Sequence, residues 1–192
     1  MEIIDRVKNV LVTPKTEWTA IEAENMPHAK VFTTYVVPLA LIPAVASLIG
    51  YGFFRVSAFG IYGGSLIALG VRHAIMQYAL MIGGVYVTAF VIDALADNFG
   101  VKKDFDRAFS LVAYSYTPMF VAGALYMLPT LAGLATLAGL YGLYLLYIGL
   151  QPMMKVTDEK QTSYFVVSLV VMIVALVVLS AVLKAVLLRG IW

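Results

Sequence analysis

The sequence predicts an all-α, polytopic membrane protein with five transmembrane helices and short N-terminal interfacial helices. Hydrophobic residues make up 62% of the 192-residue chain and charged residues only 12%, whereas soluble domains average about 45–50% and about 25%. The mean hydropathy is +0.92. Several apolar runs reach the roughly 20 residues that a helix needs to cross the hydrocarbon core. Because these runs are apolar on all sides rather than alternating, they predict helices and not the strands of a barrel.

The predicted spans occupy most of the chain and leave no room for a soluble domain. The first contains Pro38 and Pro43, each of which removes a backbone donor and is expected to kink the helix. The fourth carries small residues four apart, which would pack within the bundle or, alternatively, form the interface of a homo-oligomer. The fifth, mainly Val, Leu and Ala, is expected to face lipid. The predicted spans are residues 31–54, 73–97, 108–128, 131–150 and 164–188.

Lysine and arginine divide unevenly between the two faces that five spans would create. Nine lie on the face that holds the N-terminus and four on the other face. Because basic residues are retained in the cytoplasm, the N-terminus is predicted to be cytoplasmic and the C-terminus to lie outside. No cleaved signal peptide is visible, so the first span is expected to direct insertion. The apolar segment at 55–72 is predicted to dip into the outer interface or to cap the bundle.

Residues 1–30 are predicted to form two short helices at the cytoplasmic membrane interface. In the first helix, apolar residues recur at helical spacing, and Arg6 is placed with the polar residues elsewhere on the helical wheel, a pattern typical of an interfacial helix. Thr13 and Pro14 indicate the start of the second helix, as its cap and its first residue. Trp18 is a natural interface anchor. An alternative is that both helices close the base of the bundle.

The residues needed for several kinds of functional site are missing. Cysteine is absent, so neither a disulfide framework nor a thiolate site is expected. His28 and His73 are isolated in sequence, without a second ligand at metal spacing, so no metal is predicted. The sequence contains no nucleophile elbow, phosphate-binding glycine loop or zinc-protease helix. We therefore expect no enzyme, no cofactor and no nucleic-acid partner.

The chain has only 11 carboxylates, and four of them cluster around the end of the second span. Asp93 precedes Asp97 by four residues, which places it about 6 Å deeper on a helix, and both share a stripe with Tyr86. An ionisable group in hydrocarbon costs about 2.5–3.5 kcal/mol and tends to face the bundle interior. Asp93 is therefore the main candidate for a functional acid. Asp104 and Asp106 are assigned to structure, as the cap and first turn of the third span.

The third span carries a second polar stripe, formed by Arg107, Ser110, Tyr114 and Pro118 on one face. Pro118 is expected to remove a backbone hydrogen bond near Tyr114, which is tolerated where the interior is polar. Because the connecting loop is short, spans two and three are expected to be neighbours whose polar stripes meet.

The two stripes together predict one polar cluster. Its two interpretations are a charge pair that fixes the hairpin and a site that binds an ion or small solute. The predicted cluster consists of Asp93, Asp97 and Arg107, capped by Tyr86 and Tyr114.

Several segments resemble the bacterial branch of the Yip1 membrane-protein family, and AYSYTP and LYGLYLLYIGL are the most specific. The resemblance implies five spans, a cytoplasmic N-terminus and a place in the bacterial inner membrane. Eukaryotic relatives are linked to vesicle traffic and small GTPases, but this chain lacks their DLYGP signature and long cytoplasmic domain, so that role is not carried over. The segments are RVKNVLVTPKTEW at 6–18, YVVPLALIPAVASLIG at 35–50, DRAFSLVAYSYTP at 106–118 and GLYGLYLLYIGLQPMMK at 139–155.

Two functions are compatible with the sequence. The first is a transporter or channel that moves a cation, a proton or a small solute through a site at Asp93. The second is a non-catalytic protein that organises the membrane by binding lipid or a protein partner through its N-terminal helices. The first is favoured at this stage, because a scaffold does not require a carboxylate inside the membrane.

Overall fold

A computed structural model describes residues 2–54 and 65–187. This part of the chain is helical and contains no strand. Five of its helices are long and apolar enough to cross a membrane, which confirms the predicted all-α polytopic fold. We number them spans one to five: His28–Gly52, Gly70–Phe99, Phe105–Met127, Gly133–Met154 and Asp158–Val186.

Two short helices, α1 (Ile3–Val12) and α2 (Pro14–Glu24), precede the spans. Pro14 begins α2, as predicted. The Thr13 hydroxyl does not cap α2 but donates to the carbonyl of Asn9, 3.2 Å away, at the end of α1. We call α1 and α2 together the cap.

Span one departs from regular α-helix just before Pro38 and again at its end, whereas Pro43 lies inside a regular α-helix. It comprises α-helix His28–Val31, π-helix Phe32–Val36, α-helix Val37–Ile49 and the start of the π-helix Gly50–Phe54, which continues past its end. Pro38 has no N–H to donate to the carbonyl four residues earlier, within the first π segment, so the wider turns occur where the regular pattern fails. The predicted irregularity therefore takes the form of a π-helix.

Span two begins earlier than the sequence predicted. The α-helix that contains most of it runs from Ser65 to Leu95 and continues as a 3-10 helix, Ala96–Phe99. Gly100 then ends it in the left-handed conformation with φ of 72°. The α-helix thus includes residues 65–72 of the segment that the sequence predicted to dip into the outer interface or to cap the bundle, and residues 55–64 lie outside the described part of the chain.

Span three is interrupted at its proline. It comprises α-helices Phe105–Ser115 and Thr117–Ala122 and a 3-10 helix Gly123–Met127. Pro118 cannot donate to the carbonyl of Tyr114, and the Thr117 hydroxyl does so instead at 2.5 Å. This replacement keeps a buried carbonyl satisfied at the predicted break. Asp104 accepts a hydrogen bond from the backbone N–H of Arg107 at 3.1 Å, which confirms its predicted role as the N-cap residue of span three.

Spans four and five form the outer part of the bundle. A 3-10 turn, Pro129–Leu131, joins span three to the α-helix Ala132–Met154, and the α-helix Asp158–Leu187 follows. Only 11% of the most apolar window of span five is buried in the protein, as expected for a lipid-facing helix. Among the small residues of span four, Gly142 lies against the Ser115 carbonyl, whereas Gly139 faces open space.

Candidate functional site

An arginine of the cap is buried against the bundle. Arg6 is only 4% exposed, and its Nη1 lies 2.5 Å from Oε1 of Glu17. Its Nη2 pairs with Glu24, and its guanidinium lies 5.5 Å from the centre of the Tyr114 ring. The expectation that Arg6 belongs to the solvated face of α1 is therefore wrong. It lies four residues before the buried Val10 and faces the bundle, because α2 supplies the carboxylates that compensate its charge.

The electrostatic surroundings of Arg6 keep it charged. Burial acts to lower the pKa of the guanidinium, but the hydrogen bond to Glu24 and the negative groups around it outweigh this and raise the pKa above its ordinary value. Buried ion pairs of this kind are more effective at fixing one geometry than at adding stability. The ion pairs with Glu17 and Glu24 thus fix α1 against α2, and the contact with the Tyr114 ring places both helices on span three.

A tryptophan seats the cap on span four. Trp18 is 2% exposed, and a Cβ placed on Gly149 would come within 2.6 Å of its indole. The Tyr141 hydroxyl of span four donates to the carbonyl of Leu11 at 2.8 Å. Trp18 is therefore not the interface anchor that the sequence suggested, because the missing side chain at Gly149 leaves room for it inside the protein. The cap matches the alternative in which both helices close the bundle.

Span one contributes a tyrosine that the sequence analysis missed. The Tyr35 hydroxyl lies 2.7 Å from Oγ1 of Thr117, and its ring packs edge-on to Tyr114 with centroids 4.7 Å apart. The signal was a tyrosine within an apolar span together with a threonine before a proline. These side chains join spans one and three beside the buried Arg6.

A cavity of about 520 Å³ lies between the cap and spans one and three. We call it the cap cavity. Ile3 and Met26 give it an apolar wall. Its polar lining comes from Arg6, Glu24, Lys30, Thr34, Tyr35 and Tyr114.

A second ionic cluster ties α2 to the ends of spans three and four. Arg107 Nη1 and Lys155 Nζ lie 3.2 and 3.1 Å from Oε1 of Glu22, and Arg107 Nε lies 3.3 Å from Asp104. The hydrogen bond and charge of Lys155 hold the pKa of Glu22 below its ordinary value, burial opposes them, and Arg107 makes a smaller contribution that also lowers the pKa. Arg107 and Lys155 also line a smaller cavity of about 290 Å³.

The predicted cluster of Asp93, Asp97 and Arg107 does not form in the described structure. Asp97 pairs with Lys103 at 2.9 Å and its side chain is 64% exposed, while Arg107 pairs with Glu22 of α2 and with Asp104, the residue before its own helix. The physical reason lies in the end of span two. Asp97 belongs to a 3-10 turn, whose tighter winding takes it off the stripe that an α-helix would have given it.

Asp93 lies between helices but away from the cap cavity lining. Its side chain is partly buried, and Oδ1 is buried without a hydrogen-bond partner in the described residues. Tyr164 of span five is close enough to interact with it electrostatically. The Tyr164 hydroxyl donates to the carbonyl of Ile92 at 2.5 Å. The placement of Asp93 within a span agrees with the prediction, and its role in transport stays a prediction.

The remaining predicted residues have separate places. Tyr86 packs against the rings of Phe109 and Phe32 at 4.9 and 5.3 Å, in an aromatic core rather than over charges. Ser110 and Pro118 are buried in span three. Tyr114 is thus the one predicted residue that contributes to the lining described for the cap cavity.

Both histidines have neighbours that the sequence did not reveal. The backbone N–H and Nδ1 of His28 lie 2.7 and 2.5 Å from Oδ1 of Asp106. His73 stacks on Tyr51 with ring centroids 4.3 Å apart. Across residues 2–54 and 65–187, no group of three or more His, Cys, Asp or Glu side chains is arranged to hold a metal ion.

Comparisons with known proteins identify the family. The chain is 29% identical over 120 residues to the inner membrane protein YohC of Escherichia coli K12, and equally similar to the YohC protein of Escherichia coli O6:H1. The match covers 60% of this chain and 60% of each relative. No solved structure matches. The family model for the Yip1 domain matches residues 8–181, and the chain therefore belongs to the Yip1 domain family.

Proposed function

We propose that the protein is a non-enzymatic inner-membrane protein whose N-terminal cap binds a lipid at the cytoplasmic leaflet and thereby organises the membrane around it. The observation that carries this proposal is the cap cavity of about 520 Å³, which has charged and apolar walls. A volume of this size falls within the roughly 300–1,000 Å³ of small-molecule sites. The inner membrane is inferred from the YohC relatives, and the cytoplasmic side from the nine-to-four charge division.

The depth of the cavity supports a lipid ligand. Tyr114 lies nine residues after Phe105, so it is about 13 Å along span three from its start. Because the headgroup layer is about 5–8 Å thick on each side, such a position lies just inside the hydrocarbon core when the helix begins at the membrane surface, and Tyr114 marks the deep end of the cavity. On α1, Ile4 and Val12 are 73% and 69% exposed, and these side chains would insert among lipid chains.

A glycine pair gives the experiment that tests lipid binding by the cap. Gly149→Ala would push a methyl group into Trp18 and unseat the cap, whereas Gly139→Ala meets nothing within 4 Å. The protein and both variants would be purified in mild detergent, and native mass spectrometry would count the phospholipids retained by each. We expect the wild type and Gly139→Ala to retain lipid and Gly149→Ala to lose it. Equal retention by all three, or none by any, would reject the proposal.

Transport is the second candidate, because one oxygen of Asp93 is buried without a hydrogen-bond partner in the described residues. A carboxylate oxygen in this position would be stabilised by a bound cation. The test is flux of protons and of small cations in proteoliposomes, with Asp93→Asn as the variant. Asp97→Asn is the control, since Asp97 is exposed and paired with Lys103. Transport predicts flux in the wild type and control and loss in Asp93→Asn; equal flux, or none, counts against it.

A further inference from the structure

We propose that the cap cavity binds a zwitterionic group in which a phosphate is linked to a primary ammonium, as in an aminoethyl phospholipid headgroup. The inference rests on the proposed lipid-binding function and specifies the ligand of that site. Three observations support it. The charges that line the cavity cancel, Lys30 and one oxygen of Glu24 are not engaged by the ion pairs of the described residues, and the tyrosine rings are already in contact with other protein groups.

The charges around the cavity cancel. Arg6 and Lys30 supply two positive charges, and Glu24 together with the adjoining Glu17 supplies two negative charges. A ligand with a net negative charge would therefore gain little from the site as a whole. A zwitterion would place each of its charges beside an opposite one, so the balance favours a neutral headgroup over an anionic one.

The phosphate end of the ligand would lie at Lys30, beside the positive charge of Arg6. Lys30 is exposed and has no ion pair among the described residues. A guanidinium has five N–H donors, and the ion pairs with Glu17 and Glu24 engage Nη1 and Nη2 once each. The ammonium of Lys30 is suited to charge-assisted hydrogen bonds with phosphate oxygens, and Arg6, whose side chain is 5% exposed, adds its positive charge to the same wall.

The ammonium end would lie at Glu24, whose side chain is 36% exposed. Arg6 bonds to its Oε1, and its Oε2 has no partner in the residues that the structure describes. A primary ammonium donates three hydrogen bonds and suits this oxygen. A trimethylammonium group would need an aromatic cage instead. Such a cage is not available, because Arg6 lies over the Tyr114 ring and Tyr35 packs edge-on to it.

The test compares three phospholipids with identical acyl chains. They are phosphatidylethanolamine, phosphatidylcholine, which has a quaternary amine, and phosphatidylglycerol, which has no amine. Each lipid would be titrated into purified full-length protein, and native mass spectrometry would measure its binding. We expect the wild type to bind phosphatidylethanolamine about tenfold more tightly than either of the others, the effect of one charge-assisted hydrogen bond. Preference for phosphatidylglycerol, or no preference, would overturn the proposal; retention of lipid without preference would leave the proposed function intact, and no retention would reject both.

Two variants locate the two ends of the ligand. Lys30→Gln should weaken binding of all three lipids about tenfold, and Glu24→Gln should abolish the preference for phosphatidylethanolamine over phosphatidylcholine. Lys103→Gln is the control, because its side chain is exposed and paired with Asp97. Each variant would be checked for unchanged unfolding temperature, and Glu24→Asp, which keeps the charge, replaces Glu24→Gln if the latter is unstable and should retain the preference. Unchanged selectivity in a folded Glu24→Gln protein would contradict the assignment.

A competition experiment separates a lipid from a free solute. Soluble phosphoethanolamine carries the same two charged groups without acyl chains. If the ligand is a lipid, millimolar phosphoethanolamine should displace little bound phosphatidylethanolamine, since the apolar contacts of the chains are missing. Full displacement of the bound phosphatidylethanolamine by phosphoethanolamine at a concentration equal to that of the lipid would show that the site takes a free aminoalkyl phosphate. That result would overturn the lipid assignment.

Discussion

The Arg6 guanidinium lies 5.5 Å from the centre of the Tyr114 ring, so a helix that precedes the spans reaches the interior of span three. The contact joins the cap to span three. The guanidinium can be buried there because Glu17 and Glu24 of the neighbouring α2 compensate its charge. It also brings polar groups to the wall of the cap cavity. Stability of the cap and binding in the cavity should therefore depend on the same few side chains.

Replacement of Arg6 should destabilise the protein strongly. Arg6→Ala leaves Glu17, whose side chain is only 8% exposed, without its partner, and the loss of one member of a buried pair costs about 3–5 kcal/mol. Lys8→Ala on the exposed side of α1 is the control and should cost less than about 0.5 kcal/mol. Reversible unfolding in mixed micelles would measure both. A loss below about 1 kcal/mol for Arg6→Ala would show that the buried pairs do not hold the cap.

Gly149→Ala should displace Trp18 from its buried position. The added methyl group would come within 2.6 Å of the indole, closer than atoms of this kind approach, so the cap must shift. In a Trp192→Phe background, Trp18 is the remaining tryptophan, and its fluorescence should move to longer wavelength as water reaches it. Gly139→Ala should leave the spectrum unchanged. An unshifted spectrum in Gly149→Ala would contradict the seat described for the cap.

Acid should weaken the link between α2 and the ends of spans three and four. The pKa of Glu22 is lowered by Lys155 and Arg107, so its ionised form stabilises the fold above the ordinary glutamate pKa, and this stabilisation disappears as the pH falls through the lowered value. Glu22→Gln should therefore have a lower Tm than wild type at pH 7, and the two should converge in acid. Glu2→Gln, whose side chain makes no cap hydrogen bond, is the control. A difference that persists or grows in acid would refute this account.

Removal of the Thr117 hydroxyl should cost about 1–3 kcal/mol. Its oxygen donates to the Tyr114 carbonyl and lies 2.7 Å from the Tyr35 hydroxyl, so Thr117→Val leaves buried polar groups unsatisfied at the proline break. Thr33→Val is the matched control, since Thr33 is exposed and its hydroxyl bonds to its own helix. Unfolding in micelles would measure both variants. Equal stability of the two proteins would mean that the break does not need the hydroxyl.

The spans could be predicted because apolar length is a local property of the sequence. The N-cap residue of span three, Asp104, and the break near Pro118 were also predictable, since a side-chain acceptor before a helix and a missing N–H act within one turn. Where the sequence prediction failed for Asp97, the cause was a change from α-helix to 3-10 helix at the end of span two. A helical wheel assumes constant winding and does not detect that change.

The cap cavity could not be predicted in the same way. The partners of Arg6 are 11 and 18 residues away in sequence, and on a helical wheel an arginine is assigned to the solvated face. Its burial depends on α2 folding back against α1, which is a tertiary event. The useful clue was positional: Arg6 stands four residues before Val10 and three after Ile3, on the face that packs against the bundle.

Photo-crosslinking tests the binding of lipid in the cap cavity most directly. Full-length protein in bilayers would be irradiated with phosphatidylethanolamine that carries a diazirine next to its headgroup, and labelled peptides would be identified by mass spectrometry. We predict labelling concentrated in residues 24–35, which include Glu24, Met26, Lys30 and Thr34 of the cavity lining, and loss of that labelling in Gly149→Ala. Labelling confined to the exposed surface of span five, with residues 24–35 unmarked, would contradict the account.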